Sequence, residues 1–467
     1  MNDLSQSRHL NEPIINAGIR NTNFFNGRIL TASDLQTDQD ANRRQHAQLA
    51  EALGGGIANG LEVGLLADGA DGKPPVVSVT RGLAFSQNGQ AIALPLDVQV
   101  ALARQITSPP AEAGLFADCG PPSSTVVPVQ AGIYVLLATP ASGYSDRAPM
   151  VSFGGTGVAD QCGARFAVEG VRFRLELLDT AKLTGLSQAT RNAIAALMTK
   201  TDAANLSLLR NWIAHICFGT EEVEAFARDP FARTREALPL GGFRDRSALA
   251  SYGAVDALRA AGTLTACDVP LALLFWTLQG VRFLDMWSVR RLLIAESLSA
   301  QWPLPFGARR RAESEAVFFQ FQGQISTMVE SNVSQATLFT VAAKDHFRYL
   351  PAVGLLPLAG AQSSKGFSYV QFFSDRTCRG PIFIRDAKLE PLLRRSLAYP
   401  PIDLSSQELI WLYLLPGNSK LANQPAGAVP ALIFAHAHVS YQGDSRYDAS
   451  QWDFSNYSLT DDAVVAS

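Results

Sequence analysis

The sequence has little of what marks the simpler function classes. No apolar run approaches the ~20 residues with which a helix spans a bilayer, and residues 1–12 are polar where a secretory leader needs an apolar segment. The expectation is a chain made in the cytoplasm, with no direct membrane insertion. Neither sign of charge is in excess: 39 Lys and Arg stand against 42 Asp and Glu, a net of −3. No global basic field is there to hold nucleic acid, although Arg309, Arg310 and Arg311 make a local basic cluster. Charged residues make up 17% and hydrophobic ones 47%, which excludes a disordered class. Cysteines are few, odd in number and far apart, at 119, 162, 217, 267 and 378. No CxxC pair or Cys/His cluster supports a zinc ribbon or a thioredoxin-like site. Buried free thiols are expected; Cys119 and Cys162, which flank a Gly/Pro/Ser-rich region, are the pair that could bridge in an oxidising environment. Also missing are GxSxG, HExxH, GxxxxGK[ST] and a Gly-rich loop after a strand. Gly54, Gly55 and Gly56 follow a helix, where their amides are badly placed for phosphate.

What is there reads as an α+β chain. Four segments are expected: residues 1–185 as an N-terminal helix and β domain, 186–305 as a mainly helical middle, 306–442 as an α/β or β-rich C-terminal domain, and 443–467 as a polar tail. Thr31-x-x-Asp34 has the form of a capping box and opens a polar helix through about residue 51. Strands are expected at 76–80, 83–86 and 91–94, with Asn88-Gly89 as a type I′ hairpin turn. Residues 133–138 form an apolar run that suits a buried strand, and 171–177 alternate strictly, as a half-buried strand does. Residues 107–124 and 140–164 read as irregular. From 187 the period becomes helical, over 187–200, 203–217, 221–228 and 247–261. Residues 269–277 and 281–284 read as strands, with Pro270 near the start of the first. A helix over 288–298 would carry Arg290 and Arg291 on a solvated or paired face. Residues 312–330 read as a helix and 389–397 as a short one. Strands are expected at 338–342, 369–373, 382–384, 409–415 and 431–440.

Chemistry-bearing pairs are sparse. His436 and His438 would share one face of a strand, as some metal sites require, but no acidic or cysteine companions accompany them, so no metal and no cofactor is expected. Asp345 and His346 would point to opposite faces of a strand and not act together. Aromatic clusters are more informative, since rigid aromatic area serves both cores and interfaces. Phe24 and Phe25 precede a turn and a capped helix, and their burial would anchor the chain entry at roughly 2 kcal/mol each. The tail from 443 carries Trp452 and Tyr457 in a polar, acidic setting that would not fold alone but could dock on a neighbouring subunit. Phe24, Phe25, Arg28, Trp452 and Tyr457 are the candidate interaction residues, and no catalytic residue is assigned.

The stretch Asn21-Thr-Asn-Phe-Phe-Asn-Gly-Arg-Ile-Leu-Thr-Ala-Ser-Asp-Leu35, followed by a polar helix and Gly60-Leu-Glu-Val63, resembles the opening of proteins of phage-tail-like contractile injection systems. Those open with Phe-Phe-x-Gly-x-Leu-Leu-Thr-Ala-x-Asp-Leu, a helix, a Gly-rich turn and a Gly-Leu-x-Val entry into β-structure. About 45 residues match closely, and the hairpin through Leu94 matches more loosely. Residues 267–273, 287–291, 347–351 and 354–357 are also similar to segments of large members. This chain departs at residues 54–58, where a His-Gly turn is the pattern. The resemblance implies a non-catalytic structural or accessory component at a baseplate, cap or peripheral position. Its partners would be sheath, tube or baseplate subunits, or a second copy of itself. It would end as part of the particle, released or not. The alternatives are an effector carried by such a particle, such as a hydrolase, and a sugar-binding surface protein.

Overall fold

Residues 18–70, 73–102, 116, 119, 131–150, 161–183, 186–220, 253–293, 308–331, 335–358, 365–384, 386–397, 399–415 and 431–436 are described in this computed structural model. The expected helix at 221–228, His438 and the tail with Trp452 and Tyr457 lie outside them.

The first element is the capped helix α1, Ala32–Leu53. The Asp34 amide donates to Thr31 Oγ1 at 3.3 Å while the Thr31 amide donates to Asp34 Oδ2 at 3.0 Å, the reciprocal pair of a capping box. Two small antiparallel sheets follow. β1 (Gly56–Gly60), β4 (Gly82–Phe85) and β5 (Ala91–Leu94) form one, in the order β1-β4-β5. β2 (Val63–Ala67), β3 (Val76–Val79) and β6 (Val98–Ala101) form the other, in the order β2-β3-β6. The β4–β5 turn differs from the expected type I′. Gly89 has φ +69°, but Asn88 is not among the residues with positive φ. The Gly89 amide donates to the Ser86 carbonyl at 3.0 Å and the Ser86 amide to the Gln90 carbonyl at 2.9 Å, which makes the three-residue form with a single left-handed glycine.

The central sheet is four-stranded, in the order β10-β9-β7-β8, from β7 (Gly132–Met150), β8 (Gln161–Leu177), β9 (Val269–Thr277) and β10 (Gly280–Asp285). Its strands come from both sides of residue 185, because β9 pairs with β7 over residues 132–138. The apolar run 133–138 is continuous because both faces are covered. Ile133, Val135 and Leu137 pack under α2 (Gln188–Met198), α3 (Ala203–Cys217) and α4 (Ala254–Ala260). Tyr134, Leu136 and Ala138 pack against Ile57, Val77, Val79 and Ile92 of the small sheets. α3 meets that layer with Leu209, Ile213 and Ile216, one helical stripe. The β9 register shifts beside Leu136 and Leu137, where Pro270 has no amide for the ladder. Residues 140–150, expected to be irregular, continue β7, and 161–170 belong to β8; a ladder running to Met150 and Gln161 overrides the Pro and Gly content.

The expected helix at 288–298 is not formed over its described part. The Ser288 amide donates to Asp285 Oδ1 at 2.9 Å, and Leu292 bridges Ile57 in parallel. Arg290, expected on a helix face, is instead buried and donates through its guanidinium to the carbonyls of Leu61 (2.7 Å) and Gly60.

The C-terminal part is built on a second four-stranded sheet, β12-β16-β15-β13, from β12 (Val353–Pro357), β13 (Cys378–Phe383), β15 (Ile410–Leu415) and β16 (Ala431–Ala435). β13 and β15 are parallel and the other pairs antiparallel. The long helix α5 (Ala308–Ser331) packs Phe321, Ile325 and Met328 on one face of it. On the other face, α9 (Asp386–Ser396) packs Leu389 and Leu392 against Tyr413 and Ile433. A two-stranded ribbon, β11 (Tyr349–Leu350) with β14 (Ile402–Asp403), sits beside it.

Two expected strands are helical. Residues 338–342 fall on α6 (Gln335–Phe339) and the turn after it, where Leu338 is buried in the core cluster. Residues 369–373 fall on α8 (Tyr369–Phe372), capped by Ser368, which places Phe372 and Phe373 in the same cluster. Asp345 and His346 share a one-turn helix, α7 (Ala343–His346), not a strand.

The two parts are locked by buried polar groups along α3. Asn211, fully buried, donates to the Tyr349 carbonyl (3.0 Å) and accepts from the amides of Arg348 (2.8 Å) and Tyr349 (3.0 Å). Arg210 donates to Asp285 at 2.6 Å, and Gln320 of α5 donates to the same carboxylate at 3.1 Å.

Candidate interaction surface

The residues before α1 form a loop held by its own hydrogen bonds. The Arg28 guanidinium donates to the Asn23 carbonyl at 2.7 Å and pairs with the Asp34 carboxylate. Thr22 Oγ1 donates to the Asp34 carbonyl at 2.6 Å, and the Arg28 amide to the Phe25 carbonyl at 3.2 Å. Hydrogen bonds from Thr31, with the Arg28 cation beside it, hold the Asp34 carboxyl below the usual carboxylate range. Gly27 makes the turn at φ +89°.

The apolar side chains of this loop point outward. Phe24 is 54% exposed and Phe25 62%, so the expected burial of this pair is wrong: neither ring anchors the chain in its own core. Ile29, Leu30 and Leu35 are exposed as well. Arg28 is turned inward, with its guanidinium 5.8 Å from the Phe25 ring centroid, and shapes the loop from within. α1 itself buries only Ala41 and Ala50.

A second exposed feature is the outer half of the β7–β8 ribbon. Beyond Ala138, β7 has no β9 partner, and residues 141–150 and 161–170 pair only with each other among the described residues. Tyr144, Phe166 and Val168 are exposed there, and Arg165 lies 4.9 Å from the Phe166 ring centroid. A two-stranded ribbon alone in water is marginal. The α1 helix reaches this ribbon through Arg43 and Glu169, 3.8 Å apart. No signal in residues 140–164 marked the ribbon, because its stability comes from cross-strand pairing and not from the composition of either strand.

A cleft between β1, α4, β9 and the start of α5 is lined by Asp256, Arg259, Arg291, Glu313 and Cys217. The Arg291 guanidinium donates to the carbonyls of Trp287, Ser288 and Arg290 and lies 4.8 Å from the Phe218 ring, so it braces the 286–291 turn. Nearby, Asp268 accepts from Thr139 (2.8 Å), Arg174 and the Thr265 amide (2.6 Å). Arg174 also pairs with Glu176, whose carboxyl is pushed up by burial. These carboxylates are occupied in holding β7, β8 and the 265–268 turn together.

His436 follows β16, donates its amide to the Ala352 carbonyl at 2.8 Å and faces the Tyr399 ring at 5.7 Å. Among the described residues, no group of three or more His, Cys, Asp or Glu is placed to hold a metal ion, and no helix is long and apolar enough to cross a membrane. The buried free thiols expected at 119 and 267 are instead bonded to each other, and Cys162, the cysteine that could have bridged Cys119 in an oxidising environment, is an exposed thiol. Neither protein-family models nor curated proteins give a match to this chain.

Proposed function

We propose that the chain is a non-catalytic structural or accessory component of a phage-tail-like contractile injection particle, attached to sheath, tube or baseplate subunits through the loop before α1. The observation that supports this is the ordered, outward-facing apolar set Phe24, Phe25, Ile29, Leu30 and Leu35. Soluble monomers rarely expose such a set without a use for it. Holding the loop in advance through Arg28, Thr31 and Asp34 lowers the ordering cost of docking. The segment is also the one whose residues resemble that particle family.

The test is replacement of Phe24 and Phe25 by Asp in the native gene, followed by mass-spectrometric counting of the chain in purified particles. The isolated variant should melt within ~1 °C of wild type, as exposed positions do, while its amount in the particle falls at least tenfold. Equal incorporation of variant and wild type would refute the docking role. Absence of the wild-type chain from purified particles would refute the particle assignment.

A further inference from the structure

Cys119 and Cys267 meet across 148 residues of chain, with Cα atoms 5.6 Å apart and both residues buried. Their surroundings serve more than one oxidation state. Gln90 Oε1 lies 2.8 Å from Cys119 Sγ and 3.8 Å from Cys267 Sγ, and Asn88 Nδ2 lies 3.8 Å from Cys267 Sγ. A disulfide has no proton for the Gln90 oxygen, whereas a thiol does. The Asn88 amide can donate to a thiolate, the reactive species in exchange. The same turn is tied to the 265–268 turn by the Gln87 amide, which donates to the Ala266 carbonyl at 2.9 Å. The sulfurs therefore sit in a polar cradle made by the β4–β5 turn, next to the buried Asp268–Arg174–Glu176 cluster.

We propose that Cys119 and Cys267 form a reversible redox latch, open as two thiols in a reducing compartment and closed by exchange with a low-molecular-weight disulfide in an oxidising one. One thiolate attacks a sulfur of the small disulfide, forms a mixed disulfide and releases one small thiolate. The second protein thiolate then displaces the other half. Two protein thiols lose two protons and two electrons, and the small disulfide leaves as two thiols. Closure pins the segment at 119 to the β4–β5 and 265–268 turns and restricts the unfolded chain by a long loop. Among the described residues Cys162 and Cys378 remain free thiols. The latch is independent of the assembly reading, since it concerns only this chain's own sulfurs.

The experiment equilibrates the full-length Cys162→Ser protein in glutathione buffers from fully reduced to fully oxidised. Acid quenching, alkylation and peptide mass mapping then read the pair. A Cys119–Cys267 cross-linked peptide should appear and vanish reversibly with the glutathione ratio, while Cys217 and Cys378 stay alkylatable after unfolding. The oxidised protein should melt at least ~5 °C above the reduced one, and Cys119→Ser with Cys267→Ser should lose that difference. Gln90→Leu removes the acceptor that favours the dithiol, so its midpoint should move about 3- to 10-fold toward more reducing ratios. The latch is overturned if the pair stays reduced in oxidised glutathione, if it stays bonded at every ratio, or if a different pair forms. An unmoved midpoint in Gln90→Leu would overturn the two-state role of the cradle.

Discussion

Truncating Asn211 to alanine tests whether one side chain of α3 couples the helical layer over the central sheet to the β11–β14 ribbon of the C-terminal part. Its amide group satisfies three backbone atoms of β11 and the residue before it: the Arg348 and Tyr349 amides and the Tyr349 carbonyl. Asn211 and Tyr349 are buried, so water cannot readily replace what Asn211→Ala removes. Leaving a buried backbone group unpaired costs ~1–3 kcal/mol, so the two Tyr349 groups together cost ~3 kcal/mol at about 1.5 kcal/mol each. That is about a hundredfold in local opening, at 1.4 kcal/mol per factor of ten. Hydrogen exchange followed by mass spectrometry reads it directly: the amides of Arg348 and Tyr349 should exchange about 100-fold faster than in wild type, while β7 and β9 amides are unchanged. Asn211→Asp keeps acceptors for both amides and loses only the donor to the carbonyl, so it should fall between the two. Wild-type protection in Asn211→Ala, with less than about 1 kcal/mol lost in urea unfolding, would refute the reasoning and mean that water reaches these groups.

Other outcomes follow from the same contacts. Burial pulls His215 down to about 3 from 6.5; the unfolded chain takes up a proton first, so stability is full above 6.5 and falls by about 1.4 kcal/mol per pH unit as pH drops from there toward 3. His215→Phe should flatten that part of a pH-dependent urea series. Arg174→Met strips the partner from Asp268 and Glu176 and should cost ~3–5 kcal/mol in urea unfolding. Gly89→Ala would set a Cβ against the Ala47 carbonyl of α1 in a left-handed turn, whereas Gly27→Ala meets nothing within 4 Å; thermal melts should show the first costing ~3 kcal/mol or more and the second ~1 kcal/mol.

Local chemistry was readable from the sequence wherever neighbours along the chain decide the outcome. Thr31 and Asp34 set the start of α1 because both halves of the cap lie within one turn. The apolar run at 133–138 announced a buried strand and that at 269–277 a strand, and the residue types of 203–217 announced α3 to the residue. The α+β class follows from those patterns alone.

Tertiary structure decided the rest. Whether Phe24 and Phe25 face a core or solvent depends on what stands opposite, and nothing in their own neighbourhood of sequence encodes it. Cys119 pairs with Cys267 and not Cys162 because the fold brings these two residues, 148 apart in the chain, together beside Gln90 of the β4–β5 turn. Residues 338–342 and 369–373 look β-forming, yet a cap at Ser368 and the burial of Leu338 and Phe372 in one cluster favour helical turns. Arg290 is drawn inward by the carbonyls of Gly60 and Leu61, some 230 residues earlier, which no helical period near 288 could reveal. Propensity and capping are summed over a few residues, whereas exposure, disulfide partnership and carbonyl capture are set by which distant surfaces meet when the sheets assemble.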